Sequence, residues 1–369
     1  MRLLLACASL ALVGACDARS ETSRCHFGAE HTVGELQGRG ADDIGLVAAG
    51  TSALGAWSDE SGLFVRTLAA NGAPVGAVHR IGARCAGGLA FIENGTGGRL
   101  ACFRLGDDHG IDLIDVGADA SARVVARVPT EHREGRGVAV AIGPQETVVV
   151  WSDGARGHEQ VWSASVRNGA SSSPDALSNE NAFSIEPDVL FDGERIVVTW
   201  AEMNPSDPSA KTGRVMLHEG RGAAVALTPV SCVSPSPRLV RDALGLVVAF
   251  RDVRAPDSHA GLFLMRPHRS DAPQRVARAN AFGAEDIVRC GDLFAAAPRM
   301  FRGDSLVGIS RISTRLTRVG GEVQIYQTHA DLALSDLACT ARGALALVAD
   351  EHSADNRRPM LRATALTCD

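Results

Sequence analysis

The fold is decided by the stretch Val148-Val149-Val150-Trp151-Ser152-Asp153, in which an apolar run ends in an aromatic residue, a small residue and an acid. The same phrase returns roughly every 50 residues, at Ala56-Trp57-Ser58-Asp59, Thr199-Trp200-Ala201-Glu202 and Ala249-Phe250-Arg251-Asp252. Repeats of about this length, each with several strand signals, are typical of radially repeated sheets rather than of a single-core enzyme fold. The sequence therefore predicts an all-β repeat protein.

The number of repeats follows from the end of each apolar run. Seven candidate units are anchored at Trp57, Phe103, Trp151, Trp200, Phe250, Ser310 and Ala349. The last two lack the aromatic residue, and their strands are assigned to 306–309 and 344–348. This count predicts a seven-bladed β-propeller, with a six-bladed ring as the alternative. Tandem immunoglobulin-like sandwiches would need about 100 residues per domain and linkers between the domains, and no linker interrupts the repeats.

Each unit divides into hairpins. In the fourth unit, strands at 187–191 and 195–200 flank Asp192-Gly193, a pair that tolerates the positive φ angles of tight turns. Arg302-Gly303 and Arg342-Gly343 are expected at the equivalent turn of the sixth and seventh units. In the first unit a third strand at 63–68 and a fourth at 75–81 follow. Four antiparallel strands per unit are therefore predicted.

The seventh unit has room for only three strands, so the segment 31–36 is expected to supply its outer strand. That arrangement brings Cys25 close to Cys368 and predicts a disulfide that locks the ring; by the chain-entropy model a bridge across so long a loop is worth more than about 4 kcal/mol. The other cysteines near predicted innermost strands leave their pairing open; they are Cys85, Cys232, Cys290 and Cys339.

The N-terminus has the pattern of an export signal. One arginine, Arg2, precedes an apolar run at 3–12, and small residues lead to Cys16. Val13-Gly14-Ala15-Cys16 resembles a bacterial lipobox, which implies cleavage before Cys16 and acylation of that residue, palmitate included. An ordinary secretory peptide is the alternative. The predicted organisation is a lipoprotein signal peptide at 1–15, a lipidated cysteine with its tether at 16–30, and a single propeller at 31–369.

Charge excludes a nucleic-acid partner. The formal net charge is -6, Lys211 is the only lysine, and the arginines are interspersed with acids along the chain. The remaining cysteines are scattered without a C-x-x-C pair, which favours disulfides of an exported protein over a zinc site.

The run 186–202 resembles the propeller repeat abundant in exported proteins and lipoproteins of myxobacteria and their relatives. It reads Glu186-Pro187-Asp188-Val189-Leu190-Phe191-Asp192-Gly193, then an aliphatic run, Trp200 and Glu202. The resemblance implies a propeller attached to a membrane of the cell envelope, exposed to the periplasm or the cell surface. Most members of that group have no assigned activity, so the resemblance implies no chemistry.

Few residues point to chemistry. The acids that follow the aromatic anchors are interpreted as ordering the next loop, because repetition in every blade is what a structural role predicts. Asp107, Asp108 and Asp112 form the densest acidic cluster and are weak candidates for binding Ca²⁺; no other cofactor is expected. Signatures of zinc proteases, serine hydrolases and nucleotide-binding loops are absent. The only tyrosine, Tyr326, is placed on an ordinary third strand.

Two long loops, 203–213 and 253–261, are expected on one rim and are the candidate partner surface. Its candidate residues are Met203, Asn204, Asp207, Lys211, Arg254, Asp257 and His259. The predicted function is a monomeric, non-enzymatic binding or scaffolding module for an envelope protein or polysaccharide. The alternative is an extracellular glycan hydrolase or lyase of sialidase-like type, which acids and arginines converging on the central channel would favour.

Overall fold

The computed structural model describes residues 25–38, 40–155, 157–204, 212–230, 232–233, 236–253, 260–278, 286–301, 304–328, 333–350 and 359–368. Their strands form seven sheets of four or five strands, arranged as the blades of a β-propeller. The described chain is almost free of helix, with one 3-10 turn at Gly106–Asp108. The predicted seven-bladed propeller is confirmed, and the six-bladed alternative is wrong.

The N-terminal strands are β1 (Cys25–Phe27) and β2 (His31–Glu35). Blade 1 consists of β3 (Asp43–Ala49), β4 (Ser52–Asp59), β5 (Gly62–Ala69) and β6 (Pro74–Gly82). Blade 2 consists of β7 (Gly88–Asn94), β8 (Gly97–Arg104), β9 (Gly110–Val116) and β10 (Ala122–Val128). Blade 3 consists of β11 (Gly135–Ile142), β12 (Thr147–Asp153), β13 (Gln160–Arg167), β14 (Ala170–Ser171) and β15 (Asp175–Ala176).

Blade 4 consists of β16 (Phe183–Asp192), β17 (Arg195–Met203), β18 (Thr212–Glu219), β19 (Val225–Ala226) and β20 (Cys232–Val233). Blade 5 consists of β21 (Arg238–Asp242), β22 (Gly245–Val253), β23 (Ala260–Met265) and β24 (Gln274–Arg278). Blade 6 consists of β25 (Asp286–Cys290), β26 (Asp292–Phe301), β27 (Asp304–Ile312) and β28 (Arg318–Thr328). Blade 7 contains β29 (Ala333–Thr340), β30 (Gly343–Asp350) and β31 (Met360–Cys368).

The core lies between neighbouring blades, where the second strands pack their aromatic anchors. Trp57, Trp151 and Trp200 are at most 2% exposed. Trp151, for example, joins a cluster with Phe103 of the preceding blade. A tryptophan buries a large apolar area, so these anchors hold adjacent blades together. That is why the aromatic recurs at the end of each apolar run.

Blade 6 differs from its sequence assignment. The segment 306–309 belongs to the third strand, β27, and the second strand is β26, so Ser310 is not an anchor. The first hairpin turn is at Gly291, between Cys290 and Asp292, and Arg302-Gly303 lies outside the described residues. Tyr326 consequently lies on the outermost strand of the blade rather than on the third. Because β26 carries no tryptophan or acid at its end, the sequence pattern matched the next apolar run, in β27, instead.

The ring is closed by the N-terminal segment, because both β1 and β2 pair with β31 of blade 7. Pairing begins at Cys25, earlier in the chain than the segment 31–36. Cys25 lies opposite Cys368, and the two form a disulfide. A second disulfide, Cys290–Cys339, joins blades 6 and 7. The third, Cys85–Cys102, lies within blade 2.

Antiparallel pairing gives the disc two distinct faces. The upper face carries the beginning of each innermost strand beside the end of the second strand, as the pair Asp43 and Ser58 shows. The lower face carries the turns between first and second strands, as at Asp242 and Gly245, and those between third and fourth strands. Within the described residues, no helix has the length and apolar character that a membrane crossing requires.

Candidate functional site

A central channel runs along the axis of the disc and contains a cavity of about 500 Å³. This volume falls within the range of roughly 300–1,000 Å³ found for small-molecule sites. The innermost strands of all seven blades line it. Because only the innermost strands reach the axis, the side chains that their upper ends carry decide the chemistry of the channel.

Seven equivalent positions, one on each innermost strand, form a ring around this channel. The positions are 45 to 51 residues apart in the chain and are occupied by Asp43, Gly88, Gly137, Asp188, Arg238, Asp286 and Asp336. We call this set the channel ring. It brings four carboxylates and one guanidinium together from five different blades.

The aspartates of the ring link neighbouring blades. Asp43 accepts a hydrogen bond from the backbone N–H of Leu89 in blade 2, at 2.8 Å. Asp188 accepts one from the N–H of Leu239 in blade 5, at 2.6 Å. Each also accepts from the N–H of the residue that follows it, at 2.9 Å. Short acidic side chains readily accept local backbone hydrogen bonds in this way, which explains aspartate in a position where strands usually disfavour it.

Asp286 and Asp336 form a pair with a hydrogen bond between their carboxyl groups. The N–H of Leu337 donates to both of them, at 2.7 Å to Asp286 and 2.9 Å to Asp336. Burial, followed by the charge of Asp286, raises the pKa of Asp336 well above its usual range. Two carboxylates in such contact cannot both ionise easily, so the pair resists losing its last proton as pH rises.

The remaining ring carboxyls are also difficult to ionise. Burial raises the pKa of Asp43 to about 6, although the N–H groups of Leu89 and Ile44 oppose the shift. Burial likewise raises the pKa of Asp188, and the positive charge of Arg238 is the largest opposing influence. Arg238 also opposes the shift of Asp43. The channel therefore contains carboxyls whose pKa values burial raises, and Arg238 opposes that shift at two of them, Asp43 and Asp188.

The ring has no side chains in blades 2 and 3, where its positions are Gly88 and Gly137. Both adopt positive φ angles, 127° and 72°, which L side chains rarely adopt. Gly137 donates a backbone hydrogen bond to Gly87 at 2.8 Å, which links the two blades in place of an aspartate. The charged groups of the channel ring thus come from the other five blades, although Glu93 of blade 2 also lines the channel.

Glu186 adds a further carboxylate to the channel lining. It lies in a β-bulge, because the register of β16 with β17 shifts between Ile185 and Asp188. Its φ angle of 54° is unusual for a residue with a side chain. The hydroxyl of Ser236 donates to Glu186 and accepts from Nη2 of Arg251 at 2.6 Å. A bulge re-aims side chains next to functional sites, and here the side chain borders the channel.

The acids at the ends of second strands have the structural role expected of them. Asp59 accepts from the N–H of Gln37 at 3.1 Å and from that of Ser61 at 2.8 Å. Asp153 accepts from the backbone N–H groups at positions 131 and 132, both at 3.1 Å. These bonds order the loops of the upper face, outside the channel ring.

The metal candidates lie beside arginines. Asp108 pairs with Arg104 and Arg127 at the upper face of blade 2. Arg104 also pairs with Asp112 at 3.0 Å, and Asp107 pairs with Arg133. Across the described part of the chain, no group of three or more His, Cys, Asp or Glu side chains is arranged to hold a metal ion.

The predicted partner loops are only partly described. Met203 is 4% exposed at the end of β17, and the N–H of Asn204 donates to the carbonyl of Thr212 at 2.8 Å. The lipidation candidate and the other loop candidates lie outside the described residues; they are Cys16, Asp207, Lys211, Arg254, Asp257 and His259.

Sequence reasoning missed the channel ring. Its signal is an acid placed directly before the apolar run of an innermost strand, as in Asp43-Ile44, Asp188-Val189, Asp286-Ile287 and Asp336-Leu337. The acid after the aromatic residue is the more conspicuous recurring acid, and it marks the ends of the second strands instead.

No protein-family model and no curated protein matches this sequence. Solved structures do match. They include an ulvan lyase of polysaccharide lyase family PL25, with 9% identity, coverage of 92% of this chain and 95% of that chain, and a TM-score of 0.55. The polysaccharide lyase Uly1 has 7% identity, coverage of 87% and 89%, and a TM-score of 0.51. An α-L-arabinofuranosidase from Fusarium graminearum has 9% identity, coverage of 83% and 98%, and a TM-score of 0.51.

The comparisons correct the prediction of a non-enzymatic module. The similar propellers are two polysaccharide lyases and a glycoside hydrolase, so the findings point toward an enzyme and favour the glycan-active alternative. At identities of 7–9% the likeness itself establishes the shared fold. Three disulfides together with these neighbours indicate an extracellular or envelope protein.

Proposed function

We propose that the protein is an extracellular glycan-active enzyme, a glycoside hydrolase whose reaction site is the channel ring at the upper end of the channel. The observation that carries this proposal is the convergence of Asp43, Asp188, Asp286, Asp336 and Arg238 on one cavity of about 500 Å³. Carboxylates found only at the outer strand ends would have argued against it.

Glycoside hydrolysis needs a carboxylic acid that is protonated at neutral pH and a second carboxylate that is ionised. The pair Asp286–Asp336, in which burial and the charge of Asp286 raise the pKa of Asp336 well above its usual range, is assigned as the general acid, which protonates the glycosidic oxygen as the bond to the sugar breaks. Asp188, beside the guanidinium of Arg238, is assigned as the carboxylate that stabilises or attacks the sugar cation. The water that completes the hydrolysis returns the proton to the Asp286–Asp336 pair.

The charge of the channel favours hydrolysis over elimination. A lyase acting on a uronate must neutralise the substrate carboxylate, which needs positive charge in the site. The channel lining supplies six carboxyl groups against two guanidiniums, those of Arg238 and Arg289; the carboxyls belong to Asp43, Glu93, Glu186, Asp188, Asp286 and Asp336. We therefore assign neutral sugars or amino sugars as the substrate class. Because the ring positions Gly88 and Gly137 carry no side chain, they leave room for a sugar ring beside the charged groups.

The test is a screen of the mature chain on neutral, amino and uronate polysaccharides. Reducing ends report hydrolysis, and the ultraviolet absorbance of an unsaturated product reports elimination. We expect reducing ends from neutral or amino glycans, and a loss of roughly 100-fold or more in kcat for Asp336→Asn and Asp188→Asn. Asp107→Asn, an exposed acid of the upper face, is the matched control and should retain activity.

Thermal unfolding of each variant separates lost chemistry from lost folding. Hydrolysis that survives both channel substitutions would place the reaction outside the channel ring. Binding of a glycan without turnover would make the protein a binding module. Formation of an unsaturated product from a uronate would replace hydrolysis by elimination.

Attachment to the envelope membrane is proposed through acylation of Cys16, on the strength of the lipobox-like Val13-Gly14-Ala15-Cys16. Three acyl chains would anchor the propeller firmly, since a single chain gives only marginal binding. Mass spectrometry of the N-terminal peptide should show an acylated Cys16, and Cys16→Ser should release the protein from the membrane fraction. Detection of Cys16 without acyl chains would contradict the anchor.

A further inference from the structure

The lower face of blades 5 to 7 is rich in arginine. Its exposed arginines are Arg269, Arg289, Arg315, Arg318 and Arg342. All five lie in or next to hairpin turns, either between first and second strands or between third and fourth strands. None of their guanidinium groups forms an ion pair with a described residue. We call this set the basic sector.

Acids do not offset the basic sector. Asp242 is bound by Arg266, and Asp292 is bound by Arg311 at 2.7 Å. Among the described residues of these lower-face turns, Asp271 is the one carboxylate without an arginine partner.

Two recesses open between the blades of this sector. One, of about 330 Å³, is lined by Arg266, Arg269 and Arg315. The other, of about 320 Å³, is lined by Arg311, Arg342 and Cys368. Asp271 also lines the first recess and Asp292 the second. Arg266 and Arg311 are held by ion pairs, which leaves the guanidiniums of Arg269, Arg315 and Arg342 to bind anionic groups. Guanidinium groups bind phosphate oxygens through several parallel N–H bonds.

The chain leaves the propeller at the same face. Cys368 is at the lower end of β31, and Cys25 lies opposite it, bound by the disulfide. Cys25 is therefore fixed beside the recess that contains Arg342. Cys16 is nine positions earlier in the chain, a reach of at most about 30 Å for a fully extended segment.

We propose that the basic sector docks on an anionic lipid bilayer, the one that carries the acyl chains of this protein. The proposal rests on the acylation of Cys16 proposed above. A bilayer at the upper face would require the tether to pass the full height of a blade, about 26 Å for eight strand residues, which leaves almost no chain to spare. Docked by its lower face, the propeller presents the channel ring away from the membrane.

The physical driving force is electrostatic. A lysine or arginine near an anionic bilayer surface contributes about 1 kcal/mol to binding, and the attraction fades within a Debye length of about 8–10 Å. Five arginines within one sector of the disc are therefore sufficient to orient it once a lipid tether has brought it to the surface.

The test uses the mature chain with Cys16→Ser, so that charge is measured without the lipid. Sedimentation with vesicles of phosphatidylcholine containing about one third phosphatidylglycerol, in about 0.05 M salt, reports binding. We expect binding to these vesicles and not to pure phosphatidylcholine. Removing three charges with Arg269→Gln, Arg315→Gln and Arg342→Gln should weaken binding on the order of 100-fold.

The matched control removes three charges from upper-face positions, with Arg80→Gln, Arg127→Gln and Arg133→Gln, and should change binding little. Equal weakening by both triple variants, equal binding to pure phosphatidylcholine, or no binding of the parent at low salt would overturn the proposal. Retention by an anionic polysaccharide together with indifference to vesicles would also overturn it. Because this test omits the acyl chains and the reaction, its failure is distinguishable from an unmodified Cys16 and from absent hydrolysis.

Discussion

Asp286 and Asp336, from the innermost strands of neighbouring blades, hydrogen-bond to each other and share the backbone N–H of Leu337 as a donor. This contact joins blade 6 to blade 7 beside the channel, on the same pair of blades that the Cys290–Cys339 disulfide connects. A shared proton stabilises the contact, because it replaces repulsion between two carboxylates by a hydrogen bond. The junction is thus both a structural link and the place in the channel ring where two carboxyl groups are in direct contact.

The Asp286–Asp336 pair should make the protein less stable in alkali. The pKa of Asp336 is raised in the folded state, so its contribution to stability is complete below its unfolded pKa and is lost as pH rises through the folded value. Asp336→Asn keeps a hydrogen-bonding group without the charge and should flatten the fall in unfolding free energy as pH rises above the unfolded value of 3.8. Denaturant titrations across this range measure it; an unchanged slope would contradict the shared proton.

Asp43 should make the free energy of unfolding depend on pH in a separate, lower pH range. Its pKa rises from 3.8 to about 6 on folding, so the stability it contributes is present below pH 3.8 and is lost as pH approaches and passes 6. The shift corresponds to at most about 3 kcal/mol. Asp43→Asn should remove this slope between pH 4 and 7, whatever constant offset the amide introduces. An Asp119→Asn variant, at an exposed turn of the lower face, is the control and should keep the slope.

The ring-closing disulfide should stabilise the fold more than the local one. Cys25 and Cys368 are 343 residues apart, whereas Cys85 and Cys102 are 17 apart. The chain-entropy model assigns the longer loop roughly 5–6 kcal/mol and the shorter one about 3 kcal/mol. Paired Cys→Ser variants of each bridge, compared by denaturant unfolding, test the order. A larger loss for the Cys85–Cys102 variant would contradict ring closure as the dominant constraint.

The ion pair of Asp242 and Arg266 should be sensitive to the loss of one partner. Their side chains are 2% and 6% exposed, and Nη1 of Arg266 donates to Asp242 at 2.9 Å. Arg266→Met should cost about 3–5 kcal/mol of unfolding free energy, since it leaves a buried carboxylate unpaired. The double variant with Asp242→Leu should recover most of that loss. A single variant as stable as the parent would show that Asp242 does not depend on this arginine.

The sequence by itself determined the repeat, the all-β class and the number of blades, because these follow from local patterns. The aromatic at Trp57, Trp151 and Trp200 must be buried between blades, and burial selects the apolar run before it. The pairing of Cys25 with Cys368 follows from the same reasoning, because a three-stranded last blade must borrow a strand from the other terminus. Blade 6 was misassigned where that local signal is missing.

Only the tertiary structure decided what lies together across blades. Asp43 and Asp336 are 293 positions apart, yet both line the channel because every innermost strand faces the same axis. The arginines of the basic sector look interspersed along the chain, yet hairpin turns 50 residues apart carry them to one face. A radial fold converts a period in the sequence into proximity in space, and no short window of sequence contains that information.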